Sequence, residues 1–183
     1  MRLPRLFATA AATVILGATM SGGALASSAQ HASGTFVDST GATIGWAQLI
    51  EDASGIVHVN IHVAGLTPGL HGIHIHAIGA CSPTFAAAGG HYNPLGLQHG
   101  LDNPSGPHAG DLPNLVVNAD GVGHLNATTD RVTLSPGATT LFDTTPRAEG
   151  SALIIHANAY DQVTDAGNGG SGARIACAVV EPD

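Results

Sequence analysis

The chain has 183 residues, long enough for one domain of ordinary size plus a short leader. It contains no lysine, five arginines, thirteen acidic residues and eleven histidines, for a formal charge of −8 with histidine neutral. Such an acidic balance argues against nucleic acid and anionic membranes as partners, and any anionic substrate would have to be drawn in by a local positive feature.

At the N-terminus, Arg2 and Arg5 precede an apolar run from Leu6 to Gly17, and Ala24-Leu25-Ala26 offers a small-residue cleavage site. This is the pattern of a secretory signal peptide over residues 1–26. A membrane anchor needs roughly 20 apolar residues, and this run is shorter and interrupted by Thr and Gly. Residues 27–33 read as a flexible lead-in and 34–183 as the folded domain. Cleavage leaves Arg131, Arg147 and Arg174 against the thirteen acids, a formal charge of −10. An exported chain, periplasmic or extracellular, with two cysteines is expected to join Cys81 to Cys177. The bond would close a long loop, worth about 4–5 kcal/mol in chain entropy.

Along the domain, short apolar stretches alternate with Gly- and Pro-rich turns. Val57, Val59, Ile61 and Val63 alternate with His58, Asn60 and His62, so one set faces a core and the other faces water. Similar patterns predict strands over 34–38, 43–51, 70–78, 114–118, 121–128, 151–157 and 174–180. "EDASG", "GLTPG", "NADG" and "LSPG" mark turns between them. About eight antiparallel strands without a helical period indicate an all-β sandwich or barrel. Two segments break the pattern, residues 79–113 and 158–172. Loops of that length inside a compact domain are usually functional or disordered, and metal ligation would order the first.

The histidines concentrate where the pattern breaks. In "HGIHIHAIGAC" His74 and His76 are two apart on a strand and project from one face, so they can share one ion. His156, ending the apolar strand "ALIIHA", can complete that site, and an all-imidazole shell suits copper. The first long loop holds His91, His99, His108 and Asp111, three imidazoles and a carboxylate, which is the number and type a closed tetrahedral zinc site requires. Gly110 in "HAGD" would let the backbone turn tightly between His108 and Asp111. Both sets are full only if one ring serves two ions, one on each nitrogen. His71 reads as a hydrogen-bonded structural residue and His58 and His62 as surface residues. His124 has no partner that the sequence identifies.

Taken together, "GLHGIHIH", "AGGHYNP", "HAGDLPNL", "ALIIHA" and "GNGGSGARIACAVV" resemble the copper/zinc superoxide dismutases, in that family's order and over essentially Gly34 to Val180. The resemblance, closest in kind to exported bacterial forms, implies a Greek-key β-sandwich with two functional loops. It implies His74, His76, His91 and His156 as copper ligands, and His91, His99, His108 and Asp111 as zinc ligands, with His91 bridging. Cys81 and Cys177 match the family's disulfide, and Arg174 its anion-guiding arginine. The activity implied is dismutation of superoxide to dioxygen and hydrogen peroxide, with His91 carrying a proton. The family commonly places an aspartate four residues after the last copper ligand, behind one copper and one zinc ligand. Here that position is Tyr160, and Asp161 is the expected substitute.

Two other readings compete. A copper-storage protein on the same scaffold would need neither a bridging ring nor an anion guide. A zinc hydrolase would need an open zinc position and a general base, which four loop ligands do not leave. Trp46 and the unassigned strand faces leave a homodimer open.

Overall fold

The computed structural model describes residues 30–142 and 150–183. The signal-peptide reading, residues 27–29 and Arg147 lie outside them. Nine strands form one antiparallel sheet: β1 (Gln30–Asp38), β2 (Thr43–Glu51), β3 (Val57–Ala64), β4 (Gly69–His71), β5 (Ile73–His76), β6 (Leu115–Val117), β7 (Val122–Thr129), β8 (Ser151–His156) and β9 (Arg174–Pro182). The spatial order is β4-β6-β7-β3-β2-β1-β9-β8-β5. The strands at the two ends of that order, β4 and β5, are consecutive in the chain, so the sheet wraps into a barrel whose seam is covalent at Gly72. The long β5–β6 and β7–β8 connections join strands that are not neighbours, as a Greek-key arrangement requires.

Two details differ from the sequence reading. The single strand expected over 70–78 is split, because Gly72 turns its backbone to a different partner. Its N–H donates to Asn158 O at 2.7 Å, and its carbonyl accepts from His156 N at 2.8 Å. A Cβ there would lie 3.0 Å from the Ser171 Cβ, a tight contact that Ser171 would have to yield to. Secondly, β1 begins at Gln30, inside the segment read as a lead-in. Residues 30–33 pair with 48–51 of β2, and Ala32 enters the core with no exposed surface.

The interior is filled as the alternation predicts, by Val57, Val59, Ile61 and Val63 of β3 with Phe36, Leu49, Leu115 and Leu153 from the facing strands. β8 is buried at every residue, because it has the core on one face and the start of the first long loop on the other. That second face forms a small apolar cluster of Ala88, Ala152, Ile154 and Cys177, against which Cys81 and Phe85 pack. The Cys81–Cys177 disulfide lies in this cluster, with Cα atoms 5.8 Å apart and a sequence separation of 96. It ties the loop to β9. Within the loop, Phe85–Ala88 forms a 3-10 turn, and a second one, Ala166–Gly170, lies in the other long loop.

Replacing Cys81 by Ser removes the bond that pins the loop to the barrel. The thermal midpoint should fall by roughly 5–15 °C, the equivalent of about 2–5 kcal/mol in a chain of this size. A scanning-calorimetry midpoint unchanged from the oxidised parent would show that packing alone holds the loop.

Candidate metal centre

β5 is flanked by β8 on one edge only. Its other edge is covered by the first long loop. Two isolated bridges do this, His76 with His91 and His74 with Asp111. The hydrogen bonds Ile75 N to Gly110 O and Tyr92 N to Ile75 O, both 2.8 Å, continue the contact. Gly110 is needed here for close approach and not for the tight turn expected of it: a Cβ would sit 2.3 Å from Ile75 O. Each half of the loop therefore delivers a ligand-type side chain beside one already on the strand.

Two groups of donor atoms result, and His91 belongs to both. In the first, the Asp111 Oδ1 lies 2.9 Å from His99 Nδ1, 3.4 Å from His91 Nδ1 and 3.5 Å from His108 Nδ1. His108 Nδ1 and His91 Nδ1 are 3.4 Å apart. A tetrahedral zinc with bonds of about 2.0–2.1 Å separates its ligands by about 3.3–3.4 Å, so these four atoms fit such an ion. His74 also comes within 4.8 Å of His91, His99 and Asp111. His108 Nδ1 lies close to the span of such an ion on the Asp111 and His91 sides, and both His74 and His108 border this group. Asp111 Oδ2 accepts from Gly100 N and His108 N at 2.9 and 3.0 Å. Burial opposes its charge, but hydrogen bonds from His108, His91, His99 and Gly100 prevail and hold the carboxyl well below the usual carboxylate range.

The second group is His74, His76, His91 and His156, whose donor atoms all lie within 4.8 Å of one another. Nε2 of His76, His91 and His156 and both ring nitrogens of His74 are buried without a hydrogen-bond partner. Native interiors rarely leave such atoms unpaired, and four rings aiming them at one point is what an imidazole-bound ion such as copper needs. The opposite nitrogens are committed. His76 Nδ1 donates to Gly89 O at 3.0 Å and His156 Nδ1 to Gly172 O at 3.1 Å, which sets the tautomer and turns Nε2 inward. Burial, reinforced by the neighbouring His91, pushes His76 down to about 2 against its bond to Gly89. Burial likewise brings His156 to about 4 against its bond to Gly172. Both rings are therefore neutral, the form that binds metal.

Arg174 pairs with His156 at a bulge in the β8–β9 ladder. Its Nη1 donates to Phe85 O and its Nη2 to Gly89 O, both at 2.6 Å. Gly89 O thus receives both Arg174 and His76. The guanidinium is anchored next to the imidazole group, half-buried, and its positive charge contributes to lowering both His76 and His156. Burial lowers the Arg174 pKa as well, but a guanidinium stays charged.

His71 is structural, as read from the sequence. It lies buried with Nδ1 2.7 Å from His156 O and Nε2 2.8 Å from Thr67 O. Asp161 does not reach the centre. Its side chain is turned to the surface, where Oδ1 accepts from Val163 N and Thr164 N. The place between the two groups is taken by Tyr160, only 2 % exposed, with its ring centroid 4.8 Å from His74 and 4.9 Å from His99. The hydroxyl points away and donates to Leu112 O at 2.6 Å. Asn114 clamps the Tyr160 backbone from both sides, through Nδ2 to Tyr160 O and Tyr160 N to Oδ1. The tyrosine therefore supplies packing but no acceptor, and His74 and His99 each retain a buried nitrogen beyond the one an ion would take. Two further supports were not visible in the sequence: Asp165 Oδ1 accepts from His99 N at 2.7 Å, and Arg131 Nη2 donates to Asp111 O at 2.7 Å. Neither belongs to a motif, and their partners are 66 and 20 residues away.

Comparison with known proteins agrees with this geometry. The family description "Copper/zinc superoxide dismutase" matches residues 43–180. A copper–zinc superoxide dismutase of Aquifex aeolicus is 42% identical over 148 residues, covering 79% of this chain and 82% of that one. The superoxide dismutase-like protein YojM of Bacillus subtilis is 40% identical over 144 residues, covering 77% and 71%. The crystal structure of a superoxide dismutase-like protein from Bacillus subtilis superposes with a TM-score of 0.70 at 37% identity, over 80% of this chain and 95% of that one. That family uses copper and zinc, and the two donor groups of this barrel suit those ions. The chain belongs to the copper/zinc superoxide dismutase family.

Proposed function

We propose that the protein is an exported superoxide dismutase, with copper held by His74, His76, His91 and His156 and zinc by His91, His99, His108 and Asp111. One observation carries the reading: buried, unpaired imidazole nitrogens of His74, His76, His91 and His156 gather beside Asp111, His99 and His108, and the His91 ring lies against both sets. When bound, copper supplies the one-electron cycling that zinc, which has no accessible redox state, cannot.

The chain's own residues do the remainder. Superoxide is an anion approaching a protein of formal charge −8, or −10 after loss of the leader. Arg174, held rigidly by Phe85 O and Gly89 O, provides the positive charge that offsets this at the centre, where low dielectric concentrates its field. Holding the anion there also orients it, without reorganisation of the side chain during turnover. His91 Nε2 is buried and makes no bond to protein, so a proton can rest on it between the oxidising and reducing half-reactions and then pass to the product. His91 Nδ1 faces Asp111, His99 and His108, which keep the ring fixed while Nε2 changes state. Export fits the leader-like N-terminus and the disulfide.

The storage reading draws on the similarity to proteins described only as superoxide dismutase-like. Metal analysis and superoxide decay measured on one preparation separate the two. One copper and one zinc per chain with rapid decay support the enzyme, and copper without decay supports storage. Replacing Arg174 by Glu should lower turnover about 10- to 100-fold and weaken its dependence on ionic strength; unchanged rates would remove the arginine from catalysis. Replacing Tyr160 by Asp should place an acceptor beside the spare nitrogens of His74 and His99 and raise zinc affinity about 10- to 100-fold in chelator competition. Tyr160→Phe, which keeps the packing, should leave zinc affinity near the parent's. Equal zinc affinity in Tyr160→Asp and the parent would show that these rings need no partner.

A further inference from the structure

The outer face of the barrel carries a second pair of imidazoles that the centre does not use. On β3, His58, Asn60 and His62 alternate with the core residues and face outward; on β7, His124 and Asn126 do the same. His62 stands directly across from His124 in the β3–β7 ladder, and Asn60 across from Asn126. The two imidazole centroids are 4.6 Å apart. Within the metal centre, rings of one ligand group stand between 4.1 Å, for His74 and His91, and 6.4 Å, for His74 and His76. The surface pair therefore has the spacing of rings that share an ion.

Both rings are available. His58 is tied to Asp52 at 3.0 Å and His71 to two carbonyls. Neither His62 nor His124 makes a hydrogen bond or ion pair among the described residues; their contacts are with aromatic rings. His124 is exposed and His62 half-buried, at a shallow depression bordered by Trp46, Asn60 and Asn126. Their backbones belong to β3 and β7, the former interior to the sheet and the latter flanked by β3 and β6. A chelating ion would have to order only two short side chains, which keeps the entropic cost of binding low.

We propose that His62 and His124 form a second metal site, open to solvent, that takes a divalent transition metal, copper(II) above all. Paired imidazoles suit copper, nickel and zinc, and copper(II) binds such nitrogen ligands most tightly of the three. The acidic chain favours a dication at its surface. With two protein ligands the remaining coordination positions stay with water. The site is thus built for exchange of the ion with its surroundings, unlike the closed, buried centre.

The structure includes its own reporter. Trp46 is the chain's one tryptophan, it pairs across strands with His62, and the two rings are 6.0 Å apart. A copper(II) ion on His62 will quench its fluorescence. The experiment titrates copper(II) chloride into the full chain already loaded with copper and zinc and freed of excess metal, and reads Trp46 emission and bound copper by equilibrium dialysis. The expected result is saturable quenching with one additional copper per chain. His62→Ala and His124→Ala should each weaken that binding at least about tenfold, while His58→Ala leaves it unchanged. Trp46→Phe should lose the optical signal and keep the extra copper. Unsaturable quenching, or quenching that survives in both histidine variants, would overturn the site. Metal content before titration reports on the buried centre, so a failure there is distinguishable from a failure here.

Discussion

Leaving a buried imidazole nitrogen without a partner costs about 1–3 kcal/mol, and this barrel does so at six nitrogens of five histidines clustered at one place. Everything around them serves to hold that arrangement in place. A chain free to relax would rotate these rings toward carbonyls or water. Here they cannot, because the opposite nitrogens of His76 and His156 are already bound to Gly89 O and Gly172 O. Burial disfavours the charged form of His74, His76, His91 and His156, and the clustered rings face one another, an arrangement that becomes favourable only with a cation between them.

The barrel meets that cost through how its ends are joined. The seam at Gly72 sends the chain from β4 to β5 at the far side of the sheet, which leaves one edge of β5 free for the loop to pair with. The loop's other end is tied to β9 by the disulfide, in the same apolar cluster as Phe85. Phe85 O in turn anchors Arg174. Structural and electrostatic roles are therefore linked: the covalent bond that limits the loop also holds the segment whose Phe85 carbonyl orients Arg174 beside the copper-type ligands.

Much of this was legible in the sequence because the signals are periodic or clustered. Alternation in 57–63 marked a strand with one wet face, and it is one. The His74/His76 spacing and the histidine-rich loop marked the residues that the fold brings together. What could not be read was of another kind. The split at Gly72 depends on Asn158 and Ser171, far onward in the chain, the first accepting the Gly72 N–H and the second crowding the position a Cβ would take. The pairing of residues 30–33 depends on β2, since nothing in their own composition demands order. Asp161 was the natural candidate to stand behind the ligands because of its charge, yet the backbone points it at the surface. Tyr160 occupies the space instead because Asn114 clamps it and Leu112 O takes its hydroxyl. A bulky neutral ring where the family commonly has a carboxylate gives this centre less support behind His74 and His99, and more apolar packing in exchange.

The account depends on His91 offering one nitrogen to each of two ions. Anomalous diffraction from crystals of the fully loaded protein, collected at the copper and zinc absorption edges, tests this directly. The account predicts a copper peak among the nitrogens of His74, His76, His91 and His156, and a zinc peak among His91, His99, His108 and Asp111, one on each side of the His91 ring. A single peak, or two peaks of which only one touches His91, would contradict it.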